Sequence, residues 1–337
     1  MLAKVFGDTN DPMVKRRLVR YSLIIGAILI LIIIIIIIAA SSSSSSSDNS
    51  DNGDNGVNIV NGDNGDNGDG NSNEKVSGSC PDIKYVSGGL SGSGFASRYW
   101  DCCKPSCSWT ENAGSGNEAK QCDINMNLIE DHKAKSICEG GPAATCLSQI
   151  PFTMDDCDNI GFAFAAVPGG SKVCGQCFLL EFTGEGKYET KKNHALLKNK
   201  KLIVIASNIG YDVSTFQFDV MIPGGGVGIF NGCEQILGNN MGKQYGGLLS
   251  DCEEEVGYSV DDETMYTKRK ECLSNKCKTV FSSNANAKQG CLFLAEFMEA
   301  AGNPLHNFKQ IECPDVIKKR YWVILFKFKK NYLNKYI

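Results

Sequence analysis

Residues 96–107 form the stretch of the chain that is richest in side chains able to do chemistry. The segment reads Ala-Ser-Arg-Tyr-Trp-Asp-Cys-Cys-Lys-Pro-Ser-Cys, so one carboxylate, two aromatic rings, two cations and three cysteines share twelve residues. Three cysteines this close tie a segment to several distant places, and we therefore expect it to lie outside ordinary helices and strands. Its candidate catalytic group is Asp101.

A second carboxylate, Asp219, lies in the alternating run 216–222. In a strand, Asp219 would share one face with Gln217 and Met221, opposite Phe216 and Phe218. Carboxyl groups on half-buried surfaces tend to have a raised pKa, as a general acid requires. Each aspartate alone is better explained as an ion-paired or turn-capping residue. A third, Asp212, would by itself be a solvated loop residue.

The cysteine content bounds the class of protein. The chain has 337 residues, 16 cysteines and three histidines, and fifteen of the cysteines lie between positions 102 and 313. Buried free thiols are a poorer explanation than disulfides, which form in secreted or lumenal proteins. Only Cys174 and Cys177 have a C-x-x-C spacing, with no second pair, so zinc is disfavoured. We expect neither a metal nor a cofactor.

The charge pattern argues against nucleic acid as a partner. The formal net charge is -4, and the positive charges concentrate at the two ends of the chain, with seven Lys and Arg in residues 318–337. The region between the ends is mildly acidic, whereas nucleic-acid binding requires a basic surface. A neutral substrate suits it better. We assign no function to the basic tail, residues 318–337.

The N-terminal region predicts export. Residues 1–21 are basic, and residues 22–40 carry no charge and include seven consecutive isoleucines. This segment is long enough to cross a bilayer, with its cations on the cytoplasmic side. It is either an uncleaved signal anchor, which makes a type II single-pass membrane protein, or a signal peptide cut near Ser41. Both alternatives place the following residues in a secreted, extracellular or lumenal setting.

Residues 41–79 predict a disordered linker, because they consist of serines and Asp-Asn-Gly repeats with few apolar side chains. The aspartates do not follow the order of a calcium-binding EF-hand loop. Residues 80–317 have globular composition and form the expected catalytic domain.

Short strands dominate that domain. Strands are predicted at 162–167, 178–182, 201–206 and 216–222, which favours a barrel or a sandwich over a layered α/β fold. The glycines of 223–228 predict a tight bend or a close backbone approach. Residues 251–290 are expected to be a turn-rich surface excursion, and residues 292–301 a helix that ends at Gly302.

Several of these segments together resemble glycoside hydrolase family 45, the small inverting endoglucanases. The string from Ser97 to Cys107 is similar to the family signature, with Ser97 where the family has Thr. A second match runs from Phe218 through Pro-Gly-Gly-Gly-Val-Gly to Cys233, and shorter ones follow in order at 244–247 and 308–314. The matches span residues 96–315.

The resemblance implies a mainly β fold, a six-stranded double-psi β-barrel that is disulfide-rich, with a few short helices, long loops and a long substrate groove. It implies that Asp101 is the general base, that Asp219 is the general acid, and that Asp212 assists. Lys104 or Arg98 is expected to keep Asp101 ionised. The residues expected to bind substrate are Ser97, Tyr99, Lys104 and Trp109.

The resemblance also implies a set of disulfides. Six pairs follow from the family pattern: Cys102–Cys233, Cys103–Cys138, Cys107–Cys174, Cys122–Cys146, Cys177–Cys313 and Cys252–Cys291. Four cysteines are left over, and we pair them as Cys80–Cys157 and Cys272–Cys277.

The implied activity is the endo-acting hydrolysis of β-1,4-glucosidic bonds in cellulose or another β-glucan, with inversion, by a monomer. The alternative is an expansin-like module that binds or loosens glucan without catalysis. Such modules keep the acid but lack the base, so Asp101 favours the enzyme. A surface-anchored protein whose barrel only binds glucan is a third possibility. Gln217 replaces a histidine found in many family members, which leaves the pH optimum open.

Overall fold

The computed structural model describes residues 76–210, 216–238 and 240–322. Eight β-strands lie within these residues. Their bounds are Val76–Ser79 (β1), Ser91–Tyr99 (β2), Met154–Asp156 (β3), Ile160–Val167 (β4), Cys177–Gly186 (β5), Lys201–Ile209 (β6), Gln217–Met221 (β7) and Pro304–Ile311 (β8).

The same residues contain seven α-helices, most of them short. Their bounds are Thr110–Ala113 (α1), Lys192–Leu196 (α2), Glu234–Leu237 (α3), Gly247–Val256 (α4), Asp262–Val280 (α5), Ala285–Glu296 (α6) and Asp315–Tyr321 (α7). Single 3-10 turns occur at Ser106–Ser108, Ile137–Glu139 and Gly170–Val173.

Six strands close into a barrel in the order β2-β7-β4-β6-β5-β8. Two neighbouring pairs, β2 with β7 and β4 with β6, are parallel, and the remaining pairs are antiparallel. This arrangement confirms the expected mainly β, six-stranded double-psi barrel. β1 and β3 form a separate two-stranded parallel sheet. Residues 96–99 lie in β2, so the expectation that the whole segment 96–107 avoids regular strands is wrong.

The side-chain pattern explains where these strands lie. β4 is apolar along its length and almost completely buried, because α6 covers its outer face and the phenyl rings of Phe293 and Phe297 contact Gly161. β7 alternates: Phe218 and Val220 are buried, whereas Gln217 and Asp219 are partly exposed. The predicted faces of this strand are therefore confirmed for residues 217–220. Met221 is buried as well, and Phe216, expected on the face of Phe218, precedes the strand and is exposed.

Residues 251–290 differ from the expected turn-rich excursion. They contain most of α4, the nineteen-residue α5 and the start of α6. Asp261 caps α5 by accepting a hydrogen bond from the Thr264 amide at 2.9 Å. The buried face of α5 repeats every four residues, as a helix requires, and consists of Met265, Arg269, Leu273 and Cys277.

The predicted helix 292–301 is shifted towards the N-terminus, since α6 covers Ala285–Glu296. The side chain of Asn284 accepts a hydrogen bond from the Ala287 amide at 2.9 Å and so begins the helix earlier. Glu299 and Ala300 have φ angles of 55° and 52°, and this left-handed backbone turns the chain towards β8 before Gly302.

All sixteen cysteines form disulfides. Five pairs agree with those that the resemblance implies, namely Cys102–Cys233, Cys103–Cys138, Cys107–Cys174, Cys122–Cys146 and Cys177–Cys313, and the inferred pair Cys80–Cys157 is also present.

The other two expected pairs, Cys252–Cys291 and Cys272–Cys277, are wrong. The structure pairs Cys252 with Cys272 and Cys277 with Cys291. Cys272 and Cys277 lie on one helix, where five residues rise by roughly 7.5 Å, beyond the reach of a disulfide. Each instead connects α5 to a neighbour, α4 or α6.

Several expectations concern residues that the structure does not describe. They are the segments 1–21, 22–40, 41–75 and 323–337, together with Asp212. Within the described ranges, every helix is too short or too polar to cross a membrane.

His306 lies inside the barrel on β8 and is 1% exposed. Its ring centroid is 5.3 Å from that of Phe218 and 6.2 Å from that of Phe308. Burial lowers the pKa of His306 to about 4, and the nearby backbone of Phe95 opposes the shift only in part. The imidazole is therefore neutral in the folded protein near neutral pH.

This histidine predicts a loss of stability in acid. In the unfolded chain, His306 would titrate near 6.5, so the unfolded state gains a proton first as the pH falls from about 6.5 to about 4. The free energy of unfolding should decrease across that window by roughly 3 kcal/mol because of this group. Urea unfolding of wild type and His306→Phe between pH 4 and 7 measures it. The free energy of unfolding should depend less steeply on pH in the variant than in wild type, and parallel pH profiles would contradict the prediction.

Candidate active site

One open cleft collects the predicted site residues. It has a volume of about 1000 Å³ and lies against β2, β7 and the segment 225–230. Six of the seven predicted catalytic and substrate-binding residues line it, and Asp212 lies outside the described residues. The six are Ser97, Tyr99, Asp101, Lys104, Trp109 and Asp219.

Asp219 is positioned by the pairing of two parallel strands. Its Cα partner on β2 is Ser97, whose hydroxyl lies 2.7 Å from Oδ1 of Asp219. Nε2 of Gln217 donates a hydrogen bond to the same hydroxyl oxygen at 2.8 Å. Because the Gln217 amide donates to this oxygen, the Ser97 hydroxyl is free to direct its own hydrogen at the carboxylate. This contact differs from the direct substrate contact expected of Ser97.

Asp101 lies just beyond the end of β2 in a cross-linked segment. Its Oδ1 accepts a hydrogen bond from the Cys103 amide at 2.9 Å, and its carbonyl oxygen accepts one from the Gly232 amide at 2.9 Å. Cys102 has a φ of 59° and is bonded to Cys233. The backbone on both sides of the carboxylate is thus fixed to the chain that follows β7.

The glycine-rich segment after β7 forms a wall of the cleft. The Trp100 amide donates a hydrogen bond to the Gly226 carbonyl at 2.8 Å. A Cβ atom at Gly225 would lie 2.9 Å from the Tyr99 nitrogen, and Gly226 has a φ of 105°. The predicted close approach of backbone to backbone is confirmed, and its partner is the end of β2.

Lys104 and Trp109 are in contact with each other. The Nζ atom of Lys104 lies 3.3 Å from the centroid of the Trp109 ring and donates hydrogen bonds to the carbonyls of His132 and Ala134 at 2.7 and 2.9 Å. Burial lowers the pKa of Lys104 to about 8. Its ammonium supports the indole ring from one side, so its donors are directed at protein atoms rather than into the cleft.

The buried cation Arg98 lies on the side of the cleft that holds Asp219. Its Nε donates to the Gly246 carbonyl at 3.0 Å and its Nη2 to the Ser250 hydroxyl at 3.1 Å. Burial lowers the pKa of Arg98, and the carboxylates of Glu253 and Asp219 oppose that shift. The charge of Arg98 therefore acts on Asp219, whereas the sequence suggested Asp101 as its partner.

The cleft also contains residues that the sequence did not single out as site residues. Nδ2 of Asn208 donates to the Tyr99 hydroxyl at 3.0 Å and so orients that ring. Ile229, Phe230, Tyr245 and Tyr188 are exposed along the rim. Phe230 and Tyr245 belong to the matched motifs, but Tyr188 lies in a polar turn with no local signal. Among the described residues, no group of three His, Cys, Asp or Glu side chains is arranged as metal ligands would be.

Comparison with known proteins gives consistent matches. A family model, glycosyl hydrolase family 45, matches residues 93–321. An endoglucanase of Cryptopygus antarcticus is 34% identical over 245 residues, which are 71% of this chain and 92% of that protein. The crystal structure of the cellulase from the Antarctic springtail Cryptopygus antarcticus is similar with a TM-score of 0.53 and 32% identity, covering 69% of this chain and 96% of that one.

Two longer relatives are matched over part of their length. Endoglucanase B of Cellvibrio japonicus is 39% identical over 242 residues, which are 70% of this chain and 46% of that protein. A putative endoglucanase type K of Fusarium oxysporum is 37% identical, over 67% of this chain and 52% of that protein. The chain thus spans about half the length of these two relatives.

The hydrogen bond from Ser97 to Asp219 predicts a matched pair of variants. Ser97→Ala removes the hydroxyl that orients the carboxylate and should lower kcat about ten- to hundredfold with little change in KM. Ser97→Thr keeps a hydroxyl on the same strand position and should remain close to wild type. Steady-state kinetics on a soluble β-glucan tests both, and a fully active Ser97→Ala variant would show that the contact is dispensable.

Proposed function

The chain belongs to glycosyl hydrolase family 45, and on that premise we propose that it hydrolyses internal β-1,4-glucosidic bonds of cellulose or a related β-glucan. The observation that carries the proposal is the presence of Asp101 and Asp219 in one open cleft. An open cleft accepts a polymer chain at any point along its length, whereas a closed pocket would accept only chain ends. The names of the relatives, endoglucanases and a cellulase, agree with this substrate class.

The strand register supports an inverting mechanism. Asp219 stands opposite Ser97, and Asp101 lies four residues further along β2 and its extension. Four residues of extended chain rise about 13 Å and neighbouring strands lie about 4.8 Å apart, so this offset puts the two Cα atoms roughly 14 Å apart, with both side chains lining the cleft between them. Inverting glycosidases have carboxyl groups about 6.5–9.5 Å apart, which leaves room for a water molecule, whereas retaining enzymes need about 5 Å.

The proposed reaction is a single displacement. Asp101 acts as general base and takes a proton from water while the water oxygen bonds to the anomeric carbon. Asp219 acts as general acid and gives its proton to the glycosidic oxygen as the bond to the anomeric carbon breaks. The Cys103 amide donates a hydrogen bond to Oδ1 of Asp101. Such a bond favours the ionised carboxylate, which can take up a proton as a general base must. Asp212, which lies between β6 and β7 in the sequence, is proposed to assist.

The aromatic residues of the cleft are proposed to bind sugar rings. The Lys104 ammonium packs against one face of the Trp109 ring, and a hydrogen bond from Asn208 orients the ring of Tyr99. Aromatic rings contribute a large contact area at a small cost in side-chain entropy, which suits the apolar faces of glucose units. Lys104 then contributes to binding through Trp109, and Ser97 contributes to catalysis through Asp219.

We further propose that residues 80–317 are the catalytic domain of a monomeric, exported protein. The eight disulfides support an oxidising compartment. Residues 22–40 would act either as a type II membrane anchor or as a cleaved signal peptide. The linker would cover residues 41–75, because residues 76–79 of the expected linker form β1 and pair with β3. The folded part also extends past residue 317, since α7 continues to the buried Tyr321. N-terminal sequencing of the mature protein separates the anchor from the signal peptide, because a start near Ser41 excludes the anchor.

The second candidate function is an expansin-like module that binds glucan without cleaving it. Such a module would need the cleft and the acid but not the base. Asp101 in the same cleft as Asp219 favours the enzyme, because a binding module has no use for a second carboxylate held at this position.

Substitution of the two aspartates separates these functions. Asp101→Asn and Asp219→Asn should each lower kcat on carboxymethylcellulose by about 10²- to 10⁴-fold, since each removes a proton transfer. Release of reducing ends is the measurement. Asp155→Asn, on β3 and exposed, is the matched control and should match wild type.

Two results would count against the proposal. If the wild-type protein binds glucan but releases no reducing ends, the non-catalytic module is the correct function. If both aspartate variants retain full activity, the assignment of acid and base is wrong although the activity stands.

A further inference from the structure

We infer that the ring of Tyr188 is the sugar-contacting surface of an additional subsite at the end of the cleft opposite Trp109. This inference rests on the proposed function and extends it to a specific contact with a glucose ring of the β-glucan chain. Tyr188 is 77% exposed, yet it lines the same cleft as Asp219. A large, solvent-exposed ring beside a catalytic cleft is a candidate ligand contact.

The order of residues along β2 places this ring. Phe95, Ser97 and Tyr99 follow one another along the strand and line the cleft, and Asp101 and Trp109 come after them. Phe95 pairs with Gln217, two residues before Asp219. The ring of Tyr188 meets that of Phe95 edge to face, with centroids 6.4 Å apart. Tyr188 therefore lies beyond Asp219, at the end of the cleft away from Asp101.

The backbone around Tyr188 is anchored on both sides. On one side, Gly186 pairs with Pro304, and the Lys187 amide donates to the Asn303 carbonyl at 2.9 Å. On the other side, Oε1 of Glu189 forms an ion pair at 2.9 Å with Nη1 of the buried Arg269. A ring that is exposed but held in place loses little freedom on binding, which favours affinity.

The side chains at this end of the cleft suit a pyranose ring. Tyr188 offers one aromatic face for the C–H groups of the sugar and one hydroxyl for its polar edge. Asn303 lines the same end of the cleft and adds an amide that can both donate and accept hydrogen bonds. The aromatic surface and the amide suit a neutral sugar. The ammonium of Lys187 also lies at this end, 5.4 Å from the centroid of the Phe95 ring, and can donate to a sugar hydroxyl.

Two other exposed tyrosines differ from Tyr188 in their position relative to the cleft. Tyr85 and Tyr258 lie outside the cleft, and each is covered by a cation, Lys309 at 5.3 Å and Arg269 at 4.8 Å from the ring centroid. Their rings contribute to surface packing. Tyr85 therefore provides a matched control that removes an exposed tyrosine without touching the cleft.

The experiment compares substrates of different length. Tyr188→Ala should lower kcat/KM for cellohexaose about tenfold relative to that for cellotetraose, through KM rather than kcat, because only the longer chain reaches the outer subsite. Tyr188→Phe keeps the ring but loses the hydroxyl, so its loss should be smaller than that of Tyr188→Ala, whereas Tyr85→Ala, outside the cleft, should match wild type. A length preference that Tyr188→Ala leaves unchanged, or an equal loss in the Phe variant, would overturn the inference.

A binding measurement separates this inference from the proposed function. Calorimetric titration of cellohexaose into Asp219→Asn, with and without Tyr188→Ala, requires no hydrolysis. The second substitution should raise Kd about tenfold. That result would support the subsite even if the wild-type protein proved inactive. Equal Kd values, or the absence of binding, would refute the subsite and leave the assignment of Asp101 and Asp219 to its own test.

Discussion

The parallel pairing of β2 with β7 determines which side chains meet in the cleft. In the observed register, Ser97 stands opposite Asp219. A slip by one residue would turn Asp219 into the barrel and expose Phe218. Phe218 packs edge to face with Phe178 and Phe308 at centroid distances of 5.3 and 5.0 Å, so the slip would lose this aromatic core and bury a carboxylate. The same contacts that stabilise the barrel therefore fix the geometry of the site.

Sequence patterns favoured a barrel or a sandwich because four of the six barrel strands, β4 to β7, have strong local signals, whereas the six-stranded barrel itself followed from the resemblance. β4 is continuously apolar, since both of its faces are buried, and β7 alternates, since one face lines the cleft. α5 was missed because its buried face includes Arg269, a charged residue that a hydropathy pattern counts as exposed. Arg269 is buried through its ion pair with Glu189, a long-range contact. The wrong pair Cys272–Cys277 follows from the same omission, since both cysteines lie on α5, whereas the wrong pair Cys252–Cys291 came from the resemblance.

The site was predictable only where the motif itself carries the chemistry. Asp101 and Asp219 were identified from matched segments, and both line the cleft. The immediate contacts of Lys104 and Tyr188 depend on chain that is distant in sequence, the carbonyls of His132 and Ala134 in one case and Phe95 in the other. No local pattern encodes such contacts. In the structure, the Lys104 ammonium contacts the Trp109 ring and these two carbonyls.

We propose above that Asp101 and Asp219 carry out a single displacement across this cleft. Proton NMR of cellohexaose hydrolysis, recorded before the product can mutarotate, tests it most directly. The account predicts that each new reducing end appears first as the α-anomer, because water attacks from the face opposite the leaving group. Initial formation of the β-anomer would contradict it, since retention requires two displacements and a nucleophile close to the anomeric carbon.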